Sequence, residues 1–305
     1  MKKIYYQRAV FNSLVSVALL FGCSPDVGKH GLGGLPKAQF TATVASDGYT
    51  VSMINNSDAI AYWKIPGMGL KTFTSLKGDT INMRFTFPGQ YTITMLAVGH
   101  GGMDSTSVDI TTSEPDPDAC KETTPLGFLA SCTQKVWKLL PDAGAYKVGP
   151  NGPNDGSWWT NGASDVTDRA CEFDDEYTFV FGSAYTFIYN SHGDFYDDGY
   201  MGNQTHSCEP ESNFTATQAP WGSGTHSYAV IPGGGVNKLG QITVIGLGAH
   251  MGLEKVTTNA EVTSGPVTSI TYDIISMTQD PTGDVLVIAA NMGWGWWTFA
   301  FKAEL

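Results

Sequence analysis

Charge is scarce in this 305-residue chain, and positive charge is scarcest. Asp, Glu, Lys and Arg make up 15% of it, against roughly 25% in an ordinary soluble protein. There are 17 Lys and Arg against 29 Asp and Glu, for a formal net charge of −12, and no basic run occurs anywhere. A nucleic-acid partner, or an anionic membrane surface, is therefore not expected, and a neutral ligand suits the chain better than a phosphorylated one. The six histidines are scattered, with no triad or paired metal spacing. No Cys-x-x-Cys occurs, and no glycine-rich loop followed by Lys to cradle a phosphate. No apolar run reaches the length of a membrane span.

What is abundant is glycine, threonine and aromatic residues, including 36 Gly and 8 Trp. That mixture favours β structure with many turns. At the N-terminus, Met1-Lys2-Lys3 and Arg8 precede a short apolar stretch, Val10 to Phe21, which ends in Leu20-Phe21-Gly22-Cys23. This resembles a bacterial lipobox, which implies a signal peptide over 1–22 and a lipid on Cys23; a secretory peptide with an incidental cysteine is the alternative. Cleavage there removes three positive charges and takes the net charge from −12 to −15. The other four cysteines, Cys120, Cys132, Cys171 and Cys208, suit disulfides in an oxidising compartment. Three connectivities are open, of which the local one, Cys120–Cys132 with Cys171–Cys208, is favoured. A zinc site is the alternative and lacks the spacing.

Past Cys23, residues 23–36 form a glycine-rich tether. A first β domain is expected over 37–113, with period-two alternation in Phe40 to Val44, Thr50 to Ile54 and Tyr91 to Val98. Asn55-Asn56-Ser57, Ala61-Tyr62-Trp63, Phe85-Thr86-Phe87-Pro88-Gly89-Gln90-Tyr91 and Gly101-Gly102-Met103-Asp104 resemble a polycystic-kidney-disease (PKD) domain, an immunoglobulin-like sandwich. The family's acidic, glycine-rich turn is replaced here by Trp63-Lys64-Ile65-Pro66-Gly67-Met68-Gly69. Trp63 is expected in the core, and such domains are usually spacers. Glu114-Pro115-Asp116-Pro117-Asp118 opens a linker over 114–131. Leu126, Leu129, Val136, Leu139 and Leu140 suggest a short helix from 126 to 140, against which Trp137 packs. The remainder, 132–305, is rich in strand signals separated by Gly and Asp turns and reads as a jelly-roll-like sandwich. The chain is thus expected to be all-β: an immunoglobulin-like PKD sandwich, then a jelly-roll-like carbohydrate-binding β-sandwich.

Cys171-Glu172-Phe173-Asp174-Asp175-Glu176-Tyr177, the run Gly240 to Leu253, Ser269-Ile270-Thr271-Tyr272 and the terminal Gly-Trp-Trp-Thr-Phe run resemble PKD-containing surface glycan-binding lipoproteins of Bacteroidota polysaccharide-utilisation systems. The resemblance implies an outer-membrane, lipid-anchored protein facing the cell surface, partnered with an importer complex. It also implies a β-1,3-glucan (laminarin) as ligand. No binding residue carries over with it.

Candidate binding residues come from the chain itself. Alternation along the last strand puts Trp297, Phe299 and Phe301 on a core face, and Trp294 and Trp296 on the other, beside Gly293 and Gly295. An exposed indole offers an apolar plate with a polar tip, which matches the C–H face and hydroxyl edge of a sugar. In the turn-rich Gly149 to Trp159 stretch, one of Trp158 and Trp159 is expected to be buried and the other exposed. Asp155 could bond sugar hydroxyls or cap its own loop. Trp221 is a further loop indole. Glu172-x-Asp174-x-Glu176 has the spacing of family-16 β-glucanases, and on a strand it would place three acids on one face. The glycoside-hydrolase alternative would use Glu172 and Glu176. Asp194, Asp197 and Asp198 suggest a structural calcium, and no cofactor is required. A purely structural or adhesive surface protein is the other alternative.

Overall fold

The computed structural model describes residues 33–65, 74–198, 205–262 and 265–304. The signal segment and Cys23 lie outside them, as do 66–69 of the turn after Trp63. Among the described residues no helix is long and apolar enough to cross a membrane.

The first body is a sandwich of two sheets. One holds β1 (Phe40–Val44), β2 (Thr50–Asn55) and β5 (Thr80–Arg84). The other holds β3 (Ile60–Lys64), β4 (Thr74–Ser75), β6 (Gly89–Gly99) and β7 (Gly102–Thr112), in the order β4-β3-β6-β7. Alternate residues enter the space between them, Val51 and Met53 from β2 and Ile93, Met95 and Ala97 from β6. Trp63 is buried there as expected. Its ring meets Phe40 edge-on at 5.0 Å, and its Nε1–H donates to Ser75 Oγ at 3.0 Å.

The second body begins earlier than the linker reading allows. Helix α1 (Pro125–Ala130) is short and wholly buried in it. Thr124 caps the helix, its Oγ1 accepting from the Gly127 N–H at 3.0 Å, and Pro125 fills the first turn, where no donor is needed. Ser131, at φ 52°, ends it. The chain then turns into β8 (Gln134–Leu139), so the expected helix over 126–140 is corrected to one helical turn and a half followed by a strand. Val136, Leu139 and Leu140 fit a helical period by coincidence; buried Trp137 and Leu139 show the true period of two. Trp137 does pack on the helix, from the strand: its Nε1–H donates to Leu129 O at 2.9 Å. Residues 114–121 lie against the first body, with Arg84 paired to Asp116 and Asp118. The Cys120–Cys132 disulfide then ties that segment to β8.

From β8 the chain continues through β9 (Tyr146–Gly149), β10 (Trp159–Thr160), helices α2 (Asp165–Asp168) and α3 (Ala170–Phe173), β11 (Glu176–Val180), β12 (Thr186–Asn190), β13 (Asp194–Tyr196) and β14 (Cys208–Pro210). Then follow β15 (Gly224–Pro232), β16 (Gly240–Ile245), β17 (Val256–Thr257), β18 (Ala260–Glu261), β19 (Ser269–Thr278), β20 (Val285–Asn291) and β21 (Trp296–Ala303). Eight of these pair in the antiparallel order β8-β11-β12-β15-β16-β19-β20-β21, and β21 returns to β8 through Phe301↔Leu139 and Ala303↔Trp137. The all-β class holds, and the second body is a meander closed on itself, where a jelly roll would interleave its strands between two sheets. Closure removes both sheet edges. A barrel of this size is filled by side chains, here chiefly Trp137, Tyr177, Phe179, Phe187, Tyr272 and Phe301.

The barrel has two unlike ends. At one, α1 plugs the opening, and Phe87 of the first body packs at a tilt on Phe181 and edge-on against Tyr185, at 4.9 and 5.5 Å. At the other end lie the β9–β10 hairpin and the β20–β21 turn. Gly127 is the tightest point of the plug, since a Cβ there would stand 2.1 Å from the Lys121 carbonyl oxygen. Gly127→Ala is expected to cost about 2 kcal/mol through overpacking, read as a lower thermal midpoint for the second body. An unchanged midpoint would show that α1 does not hold that end shut.

Candidate functional site

Strand β21 has two neighbours along one edge. Beyond its pairing with β8, its first half pairs with β9, Trp296↔Gly149 through Phe299↔Tyr146, and β10 adds a further strand with Trp159 opposite Val148. The loop joining β9 to β10 is closed by Asp155. Its Oδ2 accepts from the Asn151 N–H and side-chain amide at 2.9 Å, and its Oδ1 accepts from the Ser157 N–H at 3.0 Å. Those bonds lower the Asp155 pKa from the usual carboxylate value. Of its two sequence readings, the loop-capping one is what the structure shows, and both oxygens are occupied within the loop.

The loop delivers Trp158 to the surface, 49% exposed, while Trp159 turns inward and is half-buried. Across from it, the β20–β21 turn closes through Met292 N–H to Gly295 O at 2.9 Å, with Gly293 at φ +84°, and presents Trp294 at 53% exposure. The Trp158 and Trp294 rings lie 5.4 Å apart, inclined by 32°. Gly295 is required for this meeting: a Cβ there would stand 2.5 Å from the Trp158 ring. Its backbone is therefore covered by an indole and is not left open. Of the eight tryptophans, these are the two that are exposed, and they come from distant stretches of the chain.

Below the pair lies a cleft of about 380 Å³ at the barrel mouth, floored by Trp159, Trp297, Tyr146 and Leu253. Trp159 is 5.3 Å from Tyr146 and 6.0 Å from Trp297. The wall is polar. Arg169 lies 4.0 Å over the Tyr196 ring and 5.7 Å from Trp159, and its Nη2 bonds Asp198 at 2.7 Å. Lys255 bonds the same carboxylate at 3.3 Å and stands 5.5 Å over Trp297. Trp297 Nε1–H donates to Glu261 at 2.6 Å. The wall thus carries Arg169 and Lys255 with Asp198 and Glu261, and the buried Glu172 lies 3.5 Å behind Arg169. The Cys171–Cys208 disulfide joins α3, which follows Arg169, to β14, the partner of the strand carrying Tyr196. Both disulfides are the local pairs expected from the sequence. Arg169, Lys255, Glu261 and Tyr146 were not legible as site residues, because each is an isolated residue with no motif around it.

The remaining candidates do not join this cleft. Trp297, Phe299 and Phe301 face the core as expected, and Trp296 turns to the outer wall of the barrel, half-buried and apart from Trp294. Trp221 is corrected: it is buried, on the short turn Ala219–Trp221, against Phe195. The three-acid strand face is not formed, because Glu172 lies on α3, Asp174 follows that helix at the surface, and Glu176 opens β11. Glu176 pairs with Lys138 at 3.3 Å and accepts from Asn190 at 3.1 Å, which lowers its pKa. Glu172 is buried, accepts from Tyr146 Oη–H at 2.9 Å, and is pushed up to about 8 by that burial. Asp175 also enters the core, where the Tyr189 and Tyr177 hydroxyls donate to it at 3.0 and 3.3 Å. The calcium acids diverge: Asp197 accepts from Thr205, Asp198 holds Arg169 and Lys255, and Asp194 begins a separate strand. Among the described residues no group of three or more His, Cys, Asp or Glu is placed to hold a metal ion.

No protein-family model and no curated protein matches the chain. Among solved structures it is similar to the crystal structure of the PKD1 domain of Vibrio anguillarum Epp, at 22% identity, over 27% of this chain and 96% of that one, with a TM-score of 0.23. The immunoglobulin-like architecture of the first body rests on its own two sheets.

The buried carboxyl beneath the cleft has a signature in pH. Because folding raises the Glu172 pKa from 4.5 to about 8, its contribution to stability is complete in acid and is lost as pH rises through about 8. Glu172→Gln is expected to flatten the decline in thermal midpoint between pH 5 and 9, by about several degrees at the alkaline end. An undiminished slope would show that Glu172 is ionised in the fold.

Proposed function

We propose that this protein captures a neutral polysaccharide without cleaving it, stacking sugar rings on Trp158 and Trp294 and bonding hydroxyls at the polar wall beneath. The observation that carries the reading is the meeting of two exposed indoles over Gly295, at the mouth of a concave cleft. Large aromatics are normally buried, so two side by side in water are unusual without a ligand to cover them. Barrel mouths are common ligand sites, and an indole matches the sugar's apolar face. Charge favours a neutral ligand, because Arg169 and Lys255 are already engaged by Asp198. They remain donors to hydroxyls but offer little to an anion.

A β-1,3-glucan such as laminarin is the favoured ligand, on the strength of the resemblance described above. The same resemblance supplies the lipid at Cys23, the cell-surface face of the outer membrane and an importer complex as partner. The contact of the first body with the plugged end of the barrel supports a spacer role, since the cleft then opens away from the tethered side. Binding is favoured over hydrolysis because Glu172 and Glu176 lie on different elements with different partners. A glycosidase pair must flank one open site at about 5–10 Å.

Affinity electrophoresis across a polysaccharide panel tests the reading directly. Laminarin is expected to retard the protein, and Trp158→Ala with Trp294→Ala to weaken binding by about 30-fold with the thermal midpoint unchanged. Gly295→Ala, which displaces the Trp158 ring, is expected to weaken it in a folded protein. Retention by no neutral glycan removes the function. Release of reducing sugar from laminarin, abolished by Glu172→Gln, would replace capture with hydrolysis.

A further inference from the structure

Neighbouring residues of a strand face opposite ways, so β21 sends Trp297 into the mouth cleft and Trp296 to the outside of the barrel wall. There Trp296 stands at the head of a second, open trough of about 470 Å³ that runs across β20, β19 and β16. Its cross-strand neighbours are Asn291, which lines the trough, and Gly149, over which the Asp155 carboxylate sits. Asn259, Thr271 and Gln241 line the trough with amides and a hydroxyl, and Lys238 lies toward its far end. Asp273 accepts from the Val236 N–H at 3.0 Å and the Gln241 amide at 2.7 Å. One cation and one carboxylate leave the trough without net charge.

The β17–β18 hairpin and the β20–β21 turn form the ridge between the two sites. Asn259, at φ +68° in the hairpin, donates its N–H to Asn291 O at 2.8 Å and binds the two turns together. The hairpin gives Glu261 to the cleft and Asn259 to the trough.

We propose that this trough is a second carbohydrate-binding surface for a neutral oligosaccharide, an aromatic plate with amide and hydroxyl partners, separate from the mouth cleft. The inference rests on the reading of the cleft as a sugar site. Two surfaces on opposite faces of one strand make the barrel bivalent. A long polysaccharide engages both and gains avidity, while a short oligosaccharide fills them independently.

Titration calorimetry of the full chain with a six-residue β-1,3-glucan oligosaccharide decides it. The unmodified protein is expected to bind two equivalents. Trp296→Ala is expected to leave one, and the Trp158→Ala, Trp294→Ala pair to leave the other. Trp296→Phe, which keeps a ring on the sheet, is expected to retain weakened second-site binding, and thermal melting confirms that each variant is folded. A single equivalent, lost in the cleft variant and indifferent to Trp296→Ala, overturns the second surface and leaves the proposed function standing. A single equivalent with the reverse dependence upholds the trough and overturns the cleft. No binding by the unmodified protein overturns both.

Discussion

Strand β21 is the constraint on which the rest of the second body depends, because it must satisfy two partners along one edge. Its C-terminal half bonds to β8 and closes the barrel; its N-terminal half bonds to β9 and raises the β9–β10 hairpin over the mouth. A strand edge carries a single row of donors and acceptors, so the two partners have to meet end to end. The join is stitched at Ala300, whose N–H donates to Ala145 O at 2.7 Å and whose carbonyl accepts from the Leu140 N–H at 2.9 Å. Trp158 reaches Gly295 only because β9 takes up the edge where β8 leaves it.

The mouth combines apolar plates with charges that neutralise one another. Arg169 is its hub, lying over the Tyr196 ring, near that of Trp159, and bonded to Asp198. Such a cation, held between rings and a carboxylate, is oriented before any ligand arrives, which lowers the ordering cost of binding. The disulfide next to it fixes the helix to the facing strand pair. Behind the hub, burial favours the neutral forms of Glu172 and Asp175, and the tyrosine hydroxyls bond them. These acids belong to the frame of the site, and Glu172, whose spacing suggested catalysis, is enclosed there with Asp175.

The two bodies are joined more firmly than a proline-rich linker suggests. Arg84 fastens the connecting segment to the first body, a disulfide fastens it to the second, and Phe87 packs on the rings of the β11–β12 turn. All three contacts lie at the plugged end. The opposite end is thereby left free for the cleft.

Much was legible in the residues alone, wherever the cause was local. Period-two alternation identified strands and put Trp297, Phe299 and Phe301 inside, since a strand's faces follow from backbone geometry, while the likeness to a PKD sandwich put Trp63 there. Four cysteines left three connectivities open, and the favoured local one is the one that forms. The helix over 126–140 went astray because a few leucines fit both periods, and Trp221 because a proline-glycine turn does not say which way its ring points. The three-acid face failed because a short helix interrupts the strand it required. What only the tertiary structure decided was which strand closes on which, which two of eight indoles meet, and which isolated Arg and Lys stand beneath them. Those facts depend on contacts between residues tens to more than a hundred positions apart, and no local pattern of side chains encodes them.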